Sequence, residues 1–187
     1  MATGRHLRVI GLTLIATVAL SARPAGQSVP AAASESRLKA AFVSKFPQFV
    51  EWPPEALDGR TTVDICVVTP DPYGADLDAL VSGQSLNGRL LAVRRVGRDG
   101  ALDHCQVLVF SSAPTADLKP LLARVARLPI LTVGDDRRFV DEGGMIGLRM
   151  VGGRVRFDVN VTAARRAGLR LSSQLLQLAM SVRGNGQ

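Results

Sequence analysis

Leu38, Phe42, Phe46 and Phe49 recur near helical spacing, with Arg37, Lys39, Lys45 and Glu51 among them. Side chains three and four apart share one face of a helix, so the spacing predicts a helix packing an aromatic stripe on a sheet. A stripe kept free for a partner is the alternative. Pro47 lacks a backbone N–H and kinks or ends the regular part, and Trp52-Pro53-Pro54 closes the segment.

Beyond it the runs become strand-sized. Val63 to Thr69, Leu90 to Val96, Cys105 to Ser111 and Ile130 to Val133 read as strands. Pro70-Asp71-Pro72-Tyr73-Gly74 and Gln84 to Gly88 read as turns, and Leu77 to Val81 suits a short helix between them. A longer helix runs from a cap at Thr115 to about Arg127, with Leu118, Leu121, Leu122 and Val125 on one face. Pro120, early but not first in that helix, argues for a later start.

The pattern then changes to alternation. Val155, Phe157 and Val159 interleave with Arg154, Arg156 and Asp158, so one face is buried and the other wet. Gly143 to Leu148 reads as the partner strand, and Gly152-Gly153 suits the tight turn between the two. Thr162 to Gly168 reads as a short helix. A last helix starts at Ser172 or Ser173 and carries Leu175, Leu176, Ala179 and Val182. Strand–helix–strand units followed by a hairpin and a helix predict an α/β fold: a single domain with a mixed β-sheet flanked by helices.

That domain is assigned to residues 35–183. Ahead of it, Arg5, His6 and Arg8 precede the apolar run Val9 to Leu20, and small residues follow at Ala19, Ser21 and Ala22. This is the plan of a cleavable secretion signal over residues 1–22, and the run is short of the ~20 residues that span a bilayer. A retained anchor is the alternative. Residues 23–34, rich in Pro, Ala, Gly and Ser, read as a flexible spacer, and 184–187 as a disordered tail. The protein is therefore expected in the periplasm. The formal charge of +7 falls to +4 once Arg5, Arg8 and Arg23 are set aside, which selects no partner class.

Export changes how the two cysteines read. Cys66 lies within one predicted strand and Cys105 begins another, so neighbouring strands bring them within reach of a disulfide; two buried free thiols are the alternative. His104 beside Cys105 gives no zinc-type spacing and no paired nucleophile and base. Asp135-Asp136 and Ser111-Ser112 follow strand ends, where α/β ligands often bind, and read equally as solvated turns. No dinucleotide fingerprint, P-loop or nucleophile elbow occurs, and no basic–aromatic weave of a nucleic-acid binder. No catalytic residue, cofactor or metal site is assigned. Arg156, Arg165, Arg166 and Arg170 form a basic neighbourhood, read as a solvated face or as contacts for an anion or a partner.

The chain resembles the YfiR/HmsC-like family. The resemblance rests on LKAAFVSKFPQFVEWP at 38–53, ICVVTPDPYG at 65–74, CQVLVFSS at 105–112, LTVGDDRRFVDEGGMIGL at 131–148 and RVRFDVNVTAARRAGLRLSSQLLQLA at 154–179, in that order. It implies a periplasmic regulator, not an enzyme, that often forms a homodimer. It also implies binding to the periplasmic domain of an inner-membrane diguanylate cyclase, lowering cyclic-di-GMP output, with an outer-membrane lipoprotein able to relieve this. Well-studied members carry a second cysteine pair in the later half; here Cys66 and Cys105 are the only cysteines, so redox control through that later pair is not carried over. A small-molecule-binding sensory module acting on another receptor is the alternative function.

Overall fold

The computed structural model describes Met1 and residues 31–110 and 118–184. The predicted signal, most of the spacer, Ser111, Ser112, Thr115 and the last three residues lie outside the described residues. Helix α1 (Ala31–Lys45) passes into a 3-10 turn over Phe46–Phe49, with Pro47 in its first turn, and a two-residue strand β1 (Val50–Glu51) follows. Next come β2 (Thr62–Val68), α2 (Gly74–Val81), β3 (Ser85–Leu86), β4 (Arg89–Val96) and β5 (Val107–Phe110). After these are α3 (Leu118–Val125), β6 (Leu131–Gly134), β7 (Ile146–Val151), β8 (Arg154–Asn160) and α4 (Val161–Arg166). The chain closes with β9 (Arg170–Leu171), α5 (Ser173–Leu178) and β10 (Ser181–Arg183).

Eight strands form a mixed sheet in the order β10-β8-β7-β6-β5-β2-β4-β3, and β1 pairs β9 separately. Strands β4, β2, β5, β6 and β7 run parallel, and β8 returns antiparallel to β7. The parallel core needs apolar residues on both faces. In β2 every residue from Val63 to Val68 is buried, and all four residues of β5 and of β6 are too. One face, with Val63, Ile65, Val67, Val107 and Val109, packs against α1, α2 and α5. The other, with Cys66, Val68, Leu108 and Phe110, packs against Leu118, Leu121, Leu122 and Val125 of α3. The result is the expected single α/β domain, a mixed sheet flanked by helices.

Local chemistry sets the turns and helix starts. Gly152 and Gly153 both adopt positive φ, the requirement of the tight turn that matches the twist of β7 and β8. The Asn160 side chain accepts from Ala163 N–H at 2.9 Å and Ser172 Oγ accepts from Leu175 N–H at 3.2 Å, capping α4 and α5.

The strand expected at Gly143 to Leu148 lies at Ile146–Val151, the turn expected at Gln84 to Gly88 carries β3, and both ends of the domain differ as well. Leu38 is 42% exposed and Phe42 and Phe49 are half-buried, so of the stripe only Phe46 lies fully in the core. Phe46 is 2% exposed and meets Phe157 edge-on at 5.5 Å, with Phe42 against both rings. The last helix ends at Leu178. Met180 N–H donates to Phe157 O and Val182 pairs beside Val159, so the segment becomes a parallel edge strand. Hydrogen bonds offered by β8 outweigh the local helical pattern there.

Candidate functional site

At the carboxyl-terminal edge of the sheet, Asp135 follows β6 directly. Lys39, on α1, places its Nζ 2.7 Å from Glu35 and 3.3 Å from Asp135. Burial pulls the Lys39 pKa down, but the two carboxylates outweigh it and the net direction is upward. Tyr73 is buried beside this group, its hydroxyl without a hydrogen-bond partner among the described residues; burial first, then the Asp135 and Asp71 charges, push its pKa up. Asp136 accepts from Arg138 N–H at 2.7 Å and closes a turn. This edge ties α1 to the sheet.

Cys66 and Cys105 form a disulfide, with Cα atoms 5.7 Å apart. Cys66 sits in β2 and Cys105 just ahead of the neighbouring β5, which is how residues 39 apart in sequence meet. His104 lies within 4.8 Å of both sulfurs, a juxtaposition that sequence spacing does not reveal. The sulfurs are bonded to each other, so neither is a thiolate able to bind metal.

The four candidate arginines occupy different surroundings. Arg156 faces Arg149 across the β7–β8 ladder, on the opposite side of the sheet from Phe157. Arg165 is exposed at the end of α4. Arg166, next to it, lines a cleft of about 540 Å³. Arg170, on β9, lies 3.5 Å from Glu51 on β1.

That cleft opens at the amino-terminal edge of the sheet. Arg60 precedes β2, Gln106 precedes β5 and Leu128–Ile130 precede β6, and all of them line it together with Arg127 and Arg166. Sequence reasoning missed Arg60 and Arg127. The signal was present: basic residues standing just before parallel strands fall at one edge of a sheet.

A second concavity, about 210 Å³ and almost wholly apolar, lies between α1, β8 and α5. Phe42, Phe46, Phe49, Phe157, Leu175 and Leu178 line it, with Lys45 at its border. Leu178 is 59% exposed and Met180 45%, so apolar surface continues past it toward β10. Ser172 N–H donates to Phe49 O, which sets the Arg170–Glu51 pair beside the same end. Among the described residues no helix is long and apolar enough to cross a membrane.

A conserved domain protein from Vibrio cholerae O1 biovar El Tor is structurally similar, at 12% identity and a TM-score of 0.49. The match covers 70% of this chain and 57% of that one, so this chain spans under two thirds of its length. The more extensive match is to a family. It runs over residues 36–180, from within α1 to the residue before the last strand. It takes in both cysteines of the disulfide, whose presence fits an oxidising compartment. The chain belongs to the YfiR/HmsC-like family of periplasmic regulators.

Proposed function

We propose that this protein lowers cyclic-di-GMP output by binding the periplasmic domain of an inner-membrane diguanylate cyclase. Membership of the YfiR/HmsC-like family over residues 36–180 is the observation that carries the reading. The groove between α1 and α5 supplies a contact surface of suitable chemistry. Its centre is apolar and Lys45 stands at its border, which fits a partner face with an apolar anchor and an acidic group at its rim. A homodimer, and relief by an outer-membrane lipoprotein, belong to the same proposal.

Control by contact works through differential affinity. A binder that favours the inactive cyclase swings its population from 1:99 to 99:1 with a preference of roughly 10⁴-fold. Deleting the gene is expected to raise cyclic-di-GMP and thicken biofilm, and deleting the cognate cyclase as well to cancel both effects. Leu178→Glu, an exposed change at the groove, is expected to reproduce the deletion while the protein stays folded. Unchanged cyclic-di-GMP in the deletion strain, under conditions of expression, overturns the reading.

A further inference from the structure

We propose that the cleft at the amino-terminal edge of the sheet binds a small organic oxyanion, a carboxylate or phosphate monoester with a short apolar body. The cleft, at about 540 Å³, is of the size that takes small molecules, roughly 300–1,000 Å³. It is separate from the α1–α5 groove and does not depend on the cyclase reading.

The cleft gathers basic side chains at one edge of the sheet. Several arginines of the fold pair with carboxylates, as Arg94 does with Asp64 and Arg95 with Asp71 and Asp78, and others, Arg89 and Arg124, donate to backbone carbonyls. Arg60, Arg127 and Arg166 are set apart by their common place. Among the described residues none of the three has a carboxylate within 4.0 Å, and all line the same cleft. Guanidinium groups recognise carboxylate and phosphate through paired N–H donors, so three of them around one concavity supply the donors that an oxyanion requires.

Two of the donors are held in place. Arg60 donates to the carbonyls of His104 at 3.3 Å and Asp103 at 3.1 Å, which fixes its plane and leaves further N–H groups free. Gln106 is 2% exposed, and its Oε1 accepts from Asp64 N–H at 2.8 Å. That bond sets the orientation of the amide, and among the described residues its Nε2 has no acceptor. An amide donor that lines the cleft is open to solvent or to a ligand there.

The remaining lining narrows the ligand. Glu55 and Asp103 also border the cleft, leaving a net charge of +1 from five ionised groups. One anionic head is favoured there, whereas an extended polyanion meets carboxylate repulsion. Pro53, Ala56, Leu128, Pro129 and Ile130 provide the apolar wall, which suits a short hydrocarbon body.

The test uses the exported protein, with phenyl phosphate and benzoate as probes and benzyl alcohol as the uncharged control, at constant ionic strength. Binding is read from backbone amide chemical shifts and from fluorescence of Trp52, the only tryptophan and the neighbour of cleft-lining Pro53. At least one of the two anions is expected to saturate below about 10 mM, with the largest shifts at Arg60, Gln106 and Gly168, and the tighter of the two names the head group. Benzyl alcohol is expected to bind at least about tenfold more weakly. Arg127→Gln with Arg166→Gln, both exposed, is expected to weaken binding by about 10²-fold with melting unchanged; Arg156→Gln, outside the cleft, changes nothing. Absence of saturation with both anions, equal binding of the alcohol, or affinity that survives the double variant overturns the proposal.

Discussion

Replacing both Cys66 and Cys105 by alanine removes the link between β2 and the approach to β5, two neighbours at the centre of the sheet. The cysteines are 39 apart in sequence, and the loop between them carries α2, β3 and β4. In the chain-entropy treatment the loss is 2.1 + 1.5R ln 39, about 13 cal/mol/K, or about 4 kcal/mol at 25 °C. Both residues are buried, at 0% and 2% exposure, in the cluster with Val68, Leu108 and Leu121, so truncation also forfeits packing on that face of the sheet. For a domain of this size 4 kcal/mol corresponds to a fall in Tm of about 8–16 °C. Calorimetry of the oxidised protein and the double variant measures the shift directly, and urea unfolding should show a larger m-value for the variant because its unfolded chain expands further. Reductant should move the wild-type protein toward the variant and leave the variant where it is. A double variant melting within about 2 °C of the wild type, with equal m, refutes the reasoning.

Tyr73→Phe removes a buried hydroxyl that has no partner among the described residues, and is expected to leave stability unchanged or raise it by about 1 kcal/mol in urea titrations; a loss of that size contradicts the orphan assignment. The Tyr73 pKa is raised above its ordinary 10.0 and that of Lys39 above 10.5, so their contributions are full below pH 10 and fade as pH climbs toward the folded-state values. Stability should therefore fall above pH 10, less steeply in Tyr73→Phe, and an identical alkaline limb in both proteins would count against it. Gly144→Ala places a Cβ 2.2 Å from the Phe139 ring, which Gly134 abuts from its own side, so a cost of about 1–3 kcal/mol is expected, with partial recovery on adding Phe139→Leu. A Gly144→Ala protein with wild-type melting would show that the ring is not wedged. Phe46→Ala, in the core, should cost about 3–5 kcal/mol, whereas Leu178→Glu at the groove should stay within about 0.5 kcal/mol; equal losses in thermal melts would mean the groove is not an open surface.

What the sequence by itself determined was whatever depends on period and on the chemistry of single residues. The apolar run of β2, the alternation of β8, the apolar stripe of α3 and the glycine pair between β7 and β8 were legible because side-chain direction in a helix or strand follows from position alone. With an even cysteine count on two strand patterns, the disulfide was legible as one of two readings, and adjacency of β2 and β5 decided between them. Tertiary structure alone decided the last segment. Leu175, Leu176, Ala179 and Val182 keep helical spacing, yet β8 offers an unpaired edge, and Met180 and Val182 take it. It also left Leu38 in solvent, because Lys39 and Ala40 take the buried side of that turn of α1. Above all it assembled the cleft. Arg60, Gln106, Arg127 and Arg166 are scattered over more than half the chain, and only the order and direction of β2, β5 and β6 bring them to one edge of the sheet. Strand order is set by packing and hydrogen bonding between distant segments, which no local period encodes.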